Sequence, residues 1–305
     1  MDLPYHARAF GIDWRSDIPL PGFDSMAETW SEAPVTVRRV ADFDSPPSAQ
    51  PGARAVNRGT VFDDGIAIGW GHEVDFVMTG GNRIDYRPGR DWTGALPATF
   101  YSTVAALTAA WRGLLPLHAC AVELDGRAVL IAGAAGAGKS TLTADVLAAG
   151  ATLVADDLVV VAVDDGRSGA RDRVLRGRPA IRLHPDTAAA LDTIDAWPVP
   201  EDPRGKWLAR PRGRSTADSL DLAAILILGD GHDDGPAPAQ GAMLRLFPHL
   251  FRPTWLNALP MRADLMRDLL RLSVRVPVLG FPAQTASDLN NRRARAQAAI
   301  ARVRG

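Results

Sequence analysis

Cysteine and lysine are both scarce in this chain of 305 residues. The single cysteine, Cys120, cannot form an internal disulfide or a zinc site built from several thiolates, so nothing in the sequence indicates an oxidising compartment. Only two of the 34 basic residues are lysines, Lys139 and Lys206, and each follows a glycine. We therefore treat both lysines as candidates for a functional role.

The chain also has no excess of one charge and no long hydrophobic run. Its formal net charge is -1, which argues against broad binding to nucleic acid or to an anionic membrane. No apolar run approaches the roughly 18 residues that a membrane-spanning helix requires. Charges near the first residues argue against a secretory signal. We expect a cytoplasmic protein that binds neither nucleic acid nor membrane.

What is present is the composition of a globular protein, with 47% hydrophobic and 23% charged residues. Short strand-like segments separated by turn signals predict a small, β-rich, antiparallel N-terminal domain over residues 1–96. From about residue 100 the pattern alternates between strands and helices, which predicts an α/β domain over residues 97–305. Within it we predict strands at 128–132, 153–155, 222–228 and 274–279, and helices at 100–111, up to about 149 and at 289–303. Leu265, Leu269 and Leu272 are predicted to share one helical face, and the arginines of the last helix are interpreted as a solvated face.

A glycine-rich segment lies between the predicted strand at 128–132 and the helix that ends near residue 149. Gly133, Gly138, Lys139 and Ser140 match the pattern G-x-x-x-x-G-K-S, the phosphate-binding P-loop. Glycines let successive backbone N–H groups point at phosphate oxygens, and the following helix adds the positive end of its dipole. The sequence thus predicts a nucleotide-phosphate site formed by Gly133, Ala134, Ala135, Gly136, Ala137, Gly138, Lys139, Ser140 and Thr141.

The sequence lacks the motifs of two common classes of nucleotide-binding protein, the GTPases and the ABC-type ATPases. An Asn-Lys dipeptide, part of the guanine-reading motif of GTPases, does not occur, and neither does the L-S-G-G string of ABC-type ATPases. The functions that remain for the loop are transfer of a phosphoryl group to an acceptor, hydrolysis of another kind, and nucleotide sensing.

Two adjacent carboxylates, Asp156 and Asp157, follow the predicted strand at 153–155 inside a longer apolar run. Adjacent residues of a strand point to opposite faces, so one carboxylate could hold Mg²⁺ while the other faces an acceptor hydroxyl. An unpaired buried charge would be costly there, and a metal ion is a natural partner. We therefore expect a magnesium site formed by the Ser140 hydroxyl and one of the two aspartates, with the other aspartate as general base.

The segment from His118 through the glycine-rich loop to Val154-Ala155-Asp156-Asp157 resembles the catalytic domain of the HPr serine kinase/phosphorylase family, and more closely its shorter HPr-kinase-related relatives. The resemblance implies a P-loop fold related to phosphoenolpyruvate carboxykinase, ATP and Mg²⁺ as cofactors, and a serine hydroxyl as acceptor. It implies that Asp156 activates the serine and that Asp157 lies on the metal side. The HPr enzymes form hexamers, so the resemblance also allows a homo-oligomer.

Thr141 follows Ser140 where the full HPr enzymes have glutamate. Some of the shorter relatives phosphorylate a serine of a ribosomal peptide such as a lasso peptide precursor. We therefore favour a peptide or protein carrying serine or threonine as the partner.

Three further residues have open alternatives. His118 could assist Asp156 or contact the γ-phosphate, could be structural, or could be the base for a Cys120 nucleophile. Arg182 could neutralise charge on the transferring phosphate or lie on the surface. Lys206 could contact phosphate or be solvated.

The sequence thus favours an ATP-dependent serine kinase. The alternatives are an ATP-responsive regulatory or scaffold protein without catalysis, and a small-molecule kinase.

Overall fold

The computed structural model describes residues 3–28, 31, 33–69, 73–166, 170–198, 205–229, 239–283 and 289–304. The chain forms two compact units, Met1–Pro116 with Phe251–Met266, and Leu117–Leu250 with Arg267–Gly305. The strands are β1 Tyr5–Ala9, β2 Ile12–Ser16, β3 Asp24–Met26, β4 Val35–Arg39, β5 Arg54–Val56, β6 Gly59–Phe62, β7 Gly65–Gly69, β8 Val74–Thr79, β9 Arg83–Pro88, β10 Leu115–Leu117, β11 Ala119–Leu124, β12 Arg127–Gly133, β13 Thr152–Ala155, β14 Val159–Ala162, β15 Arg173–Leu175, β16 Ile181–Leu183, β17 Thr193–Pro198, β18 Trp207–Pro211, β19 Ser219–Leu228 and β20 Val278–Phe281. The α-helices are α1 Ala105–Trp111, α2 Lys139–Ala148, α3 Pro185–Ala189, α4 Ala239–Leu246, α5 Pro253–Leu256, α6 Arg262–Arg275 and α7 Leu289–Arg304.

The first unit contains a nine-stranded sheet in the order β3-β1-β2-β4-β9-β8-β7-β6-β5. Most neighbours are antiparallel, but β4 runs parallel to both β2 and β9. The predicted N-terminal layer is therefore present as a larger, mixed sheet rather than a purely antiparallel one. Strand β8 illustrates why the sheet forms. Its residues alternate between buried and half-buried positions, which is the pattern of a strand with one face covered by the core.

The helical segment after residue 99 packs with this first unit. Phe100 starts a π-helical turn that continues into α1. Its ring lies 5.8 Å from the rings of both Trp14 and Phe76 and 6.3 Å from that of Phe23, measured between centroids. This aromatic cluster explains why the first compact unit extends to Pro116, beyond the division predicted at residue 96.

The second unit is built on a sheet that runs from β14 through β15, β19, β12 and β11 to β13, with β20 also beside β19. β12, β19 and β20 are parallel, and residues 224–228 of β19 are buried, as the continuous apolar run predicted. A separate three-stranded sheet has the order β16-β18-β17. The core formed by the main sheet and α2 contains Cys120, Leu142 and Val146, and Ala296 of α7 belongs to the same buried cluster.

The end of α6 differs from the sequence-based expectation. Residues 274–279 were predicted as a strand, but α6 continues to Arg275 and β20 starts only at Val278. Pro277 lies between them and ends the helix, because proline has no N–H to donate to the preceding turn. The predicted apolar face of this helix is confirmed, since Leu265, Leu269 and Leu272 are all buried.

Candidate functional site

The glycine-rich loop (residues 133–138) connects the end of β12 to the start of α2. At Gly133, with φ at 153°, an added Cβ would lie 2.9 Å from the Cβ of Leu228, so close packing against β19 excludes a side chain. At Gly136, with φ at 84°, a Cβ would meet no atom of the described residues within 4 Å. The loop is therefore packed at its base and open at its middle.

The start of α2 presents backbone donors at the end of this loop. Gly138 has the left-handed φ of 93°, and its carbonyl accepts the first helical bond from the Leu142 N–H at 2.8 Å. The N–H groups of the first helical turn, Lys139 to Thr141, have no carbonyl partner within the helix. Together with the helix dipole, these donors suit an anion.

Lys139 is largely buried at the same position. Its Nζ donates to the carbonyl oxygens of Gly133 at 2.9 Å and Ala134 at 3.3 Å. Burial lowers the pKa of this ammonium group, and the nearby carboxylates Asp156 and Asp157 oppose that shift. The loop carbonyls therefore hold a cation that is poorly solvated and close to two acids.

Asp156 and Asp157 lie in a tight turn that separates β13 from β14. The Leu158 N–H donates to the Asp156 carbonyl at 2.8 Å, and Asp157 between them has φ at 68°. This three-residue turn with positive φ is a rare and strained γ-turn. The strand stops at Ala155, as predicted, but Asp156 and Asp157 do not continue it, so the expectation that they face opposite sides of a strand is wrong. Instead of facing two sides of a strand, both side chains line one cavity.

The carboxylate of Asp156 is held through both of its oxygens. Cys120 Sγ donates to Oδ1 at 2.9 Å, and the backbone N–H of Arg182 donates to Oδ2 at 2.8 Å. Burial raises the pKa of Asp156, and the charge of Asp157 raises it further, whereas these two donors and Lys206 lower it. The group is thus fixed in orientation and more basic than a solvated aspartate.

The thiol of Cys120 is a hydrogen-bond donor rather than a nucleophile. Burial raises its pKa well above the usual value, and the neighbouring Asp156 raises it further. A thiolate is needed for nucleophilic attack. The Cys–His alternative is therefore disfavoured by the environment of the thiol.

His118 faces Asp157 rather than Asp156. Its Nδ1 lies 3.1 Å from the Asp157 carbonyl oxygen and 3.3 Å from Oδ1 of the same residue. Both atoms are acceptors, so Nδ1 is the nitrogen that carries the proton. This contact supports the positive φ of Asp157.

The predicted site residues converge on one cavity of about 320 Å³. Lys206, just before β18, brings a positive charge close to Asp156, and Arg182, on β16, also lines the cavity. The predicted residues that line the cavity are His118, Ala135, Gly136, Gly138, Lys139, Ser140, Thr141, Asp156, Asp157, Arg182 and Lys206. Gly133, Ala134 and Ala137 do not line it; the first two hold Lys139, and Ala137 packs against the core and donates its N–H to Ala134.

Two further residues of the cavity were not predicted as site residues. From the sequence, Cys120 was considered as a nucleophile or as a packing residue, whereas its thiol donates a hydrogen bond to Asp156. His184 lines the cavity beside Arg182. Positions 182 and 184 are two residues apart at the end of a strand and share a face, so alternation could have identified His184. No pattern in the sequence pairs Cys120 with Asp156.

The oxygen donors of the cavity fit Mg²⁺. Among the described residues, no three His, Cys, Asp or Glu side chains gather into a metal site. Mg²⁺ prefers one or two protein oxygens together with water and substrate phosphates. The Ser140 hydroxyl and the Asp157 carboxylate are such a set, and both line the cavity.

A larger cavity of about 1130 Å³ lies beside α2, α3 and α7. Its lining is mainly apolar, and Asp145 and Arg304 there are engaged in ion pairs with Arg292 and Asp125. The glycine-rich loop and the two aspartates line the smaller cavity and not this larger one.

None of the helices in the described ranges combines the length and apolarity needed to cross a membrane. No protein-family model matches the chain, and no curated protein matches it significantly. Among solved structures, the chain is similar to the Hpr(Ser) kinase/phosphatase from Coxiella burnetii, with 15% sequence identity and a TM-score of 0.35, over 62% of this chain and 88% of that one. The functional argument therefore rests on the geometry of the cavity.

Proposed function

We propose that this protein is an ATP-dependent kinase that transfers the γ-phosphoryl group to a serine or threonine hydroxyl of a peptide or protein. One observation supports the proposal most strongly. A single cavity joins the open glycine-rich loop, the start of α2, Lys139 and a carboxylate, Asp156, whose two oxygens are both held by donors.

The loop and the first turn of α2 would bind the nucleotide phosphates. The N–H groups there supply donors, and the Lys139 ammonium exchanges its two loop carbonyls for β- and γ-phosphate oxygens. Lys206 and Arg182 add positive charge on the other side of the cavity. Bound through Ser140 and Asp157, Mg²⁺ would neutralise phosphate charge.

Asp156 would act as the general base. As the acceptor oxygen bonds to the γ-phosphorus, Asp156 accepts the hydroxyl proton, and the bond from that phosphorus to the bridging oxygen of ADP breaks. The raised pKa of Asp156 strengthens it as a base. Arg182 would stabilise the charge on the transferring group.

The two alternative functions differ in what they require of this cavity. An ATP-responsive scaffold needs the loop but not an oriented carboxylate beside it. A small-molecule kinase would share the same machinery and differ only in the acceptor surface. A ribosomal peptide precursor of the lasso type is one acceptor that fits the proposal, and an HPr-like protein is another.

The test is phosphoryl transfer from labelled ATP to candidate peptides and proteins, followed by mass spectrometry for a gain of one phosphate. Asp156→Asn should retain nucleotide binding and lose about 10²–10⁴ in transfer rate, the usual effect of removing a general base. An Asp156→Asn variant that transfers as fast as the wild type would refute the assignment of the base. ATP binding without transfer to any acceptor would favour the scaffold.

A further inference from the structure

The three-stranded sheet carries a row of side chains that starts at the cavity. Arg182 of β16 lies directly opposite Leu208 of β18, and Leu208 lies directly opposite Trp197 of β17. Residues directly opposite one another in a sheet have side chains on the same face. Because Arg182 lines the cavity, Leu208 and Trp197 continue its face of the sheet away from the cavity.

Contacts of Arg210 confirm which face this is. Arg210 lies two residues after Leu208 on β18, and its guanidinium carbon is 5.9 Å from the centre of the Trp197 ring. It also pairs with Asp195, two residues before Trp197, with Nε 2.8 Å from Oδ1. The opposite face, with Ile181 and Ala209, packs into the core. The row is therefore on the outer face of the sheet.

This outer row is apolar and accessible at its far end. Trp197 is 39% exposed, while Leu208, between it and Arg182, is only 9% exposed. Arg210, the charged side chain that contacts the indole, is paired with Asp195. The exposed indole ring is an aromatic contact surface, which favours an apolar or aromatic side chain of the partner.

The spacing of the row matches a peptide. Neighbouring strands are about 4.8 Å apart, so Trp197 lies about 10 Å from Arg182 across two spacings. An extended chain advances about 3.3 Å per residue, so that distance corresponds to about three residues. The backbone N–H of Arg182 holds Asp156, the proposed base, which marks the position of the acceptor hydroxyl.

We propose that the outer face of this sheet binds the peptide acceptor, and that Trp197 selects an apolar or aromatic side chain about three residues from the serine or threonine that is phosphorylated. This proposal rests on the proposed kinase function and adds the class of acceptor sequence. Trp197 touches no reacting atom, so it determines specificity and acceptor affinity rather than the rate of the chemical step.

The experiment uses the full chain, ATP and a library of peptides with one central serine and randomised flanking positions. The wild type should enrich aromatic or large aliphatic residues about three positions to one side of the serine. Trp197→Ala should lose that enrichment and raise the KM for the best peptide about tenfold at unchanged kcat, and Trp197→Phe should restore most of both. Ile194→Ala is the matched control, because Ile194 is 45% exposed on the same strand but outside the row.

Affinity for a non-hydrolysable ATP analogue, measured in every variant, reports whether the fold and the nucleotide site are intact. Enrichment that is unchanged in Trp197→Ala, or equally lost in Ile194→Ala, would overturn the proposal while leaving the kinase function in place. Transfer to no peptide by the wild type would overturn both. Transfer to a small molecule alone, unaffected by Trp197→Ala, would overturn the peptide acceptor.

Discussion

At the scale of single residues, the turn at Asp157 determines how the acidic pair is used. Its positive φ is unfavourable for most side chains, and aspartate and asparagine are among the residues that tolerate it best. The turn brings Asp156 and Asp157 to the same cavity, and His118 contacts both the carbonyl and the carboxylate of Asp157. A strained turn that is held by its neighbours is typical of functional sites.

Replacing Asp157 by asparagine removes the carboxylate charge and keeps the backbone conformation of the turn. Asparagine tolerates the same φ, so Asp157→Asn should fold normally. If Asp157 binds Mg²⁺ together with Ser140, the Mg²⁺ concentration for half-maximal transfer should be at least about tenfold higher in the variant than in the wild type. The measurement is the transfer rate as a function of Mg²⁺ concentration.

Asp186→Asn serves as the control for this titration, since Asp186 is an exposed acid in the first turn of α3 that does not line the cavity. Its Mg²⁺ dependence should equal that of the wild type. The same dependence in Asp157→Asn would remove Asp157 from the metal site.

The residues of the site were largely predictable because they belong to local patterns. The glycine-rich loop with Lys139, and the acidic pair, are contiguous in sequence, so their spacing alone indicates a phosphate site. The bonds that orient Asp156 were not predictable. They join residues 36 and 26 positions away, Cys120 and Arg182, through pairings between strands that one sequence does not reveal.

At the scale of elements, an ion pair joins α7 to α2. Arg292 contacts the Asp145 carboxylate with its Nε at 2.7 Å, and the Asp145 side chain is almost completely buried. A second ion pair of α7, Arg304 with Asp125, is exposed and contributes little. The arginines of this helix were interpreted from sequence as a solvated face, and for Arg292 that interpretation is wrong.

Removing Arg292 would leave a buried charge without its partner. Arg292→Ala should therefore lower the free energy of unfolding by about 3 kcal/mol, measured by urea denaturation. Arg293→Ala, at the exposed neighbouring position, should change it by less than about 0.5 kcal/mol. Equal effects of the two substitutions would show that the ion pair is not important for stability.

The decrease in the free energy of unfolding caused by Arg292→Ala should depend on pH. Burial raises the pKa of Asp145, and Arg292 opposes that shift. A carboxyl whose pKa is higher in the folded state than in the unfolded one costs stability as pH rises from the unfolded value through the folded value. Without Arg292 the folded-state pKa rises further, so the deficit of Arg292→Ala should be smaller near pH 4.5 than near pH 7.5. A deficit that is constant over this range would contradict the assignment to Asp145.

At the scale of the whole molecule, the alternation of strands and helices predicted an α/β organisation, and the mixed sheets and helices agree with it. Element types followed from periodicity, as for β8 and the apolar face of α6. The extent of the first unit could not be predicted from periodicity, because the cluster around Phe100 joins residues from four separate parts of the chain. The parallel pairing of β4 likewise depends on long-range contacts.

The central claim is that the glycine-rich loop and Lys139 bind the phosphates of ATP next to Asp156 and Asp157. Calorimetry with a non-hydrolysable ATP analogue and Mg²⁺ tests it most directly, on the wild type, Lys139→Ala and the surface control Arg293→Ala. We predict that the wild type and the control bind equally, and that Lys139→Ala binds about 10- to 100-fold more weakly, as the loss of a charged hydrogen bond implies. Equal affinity in Lys139→Ala, or no binding by the wild type, would contradict the account.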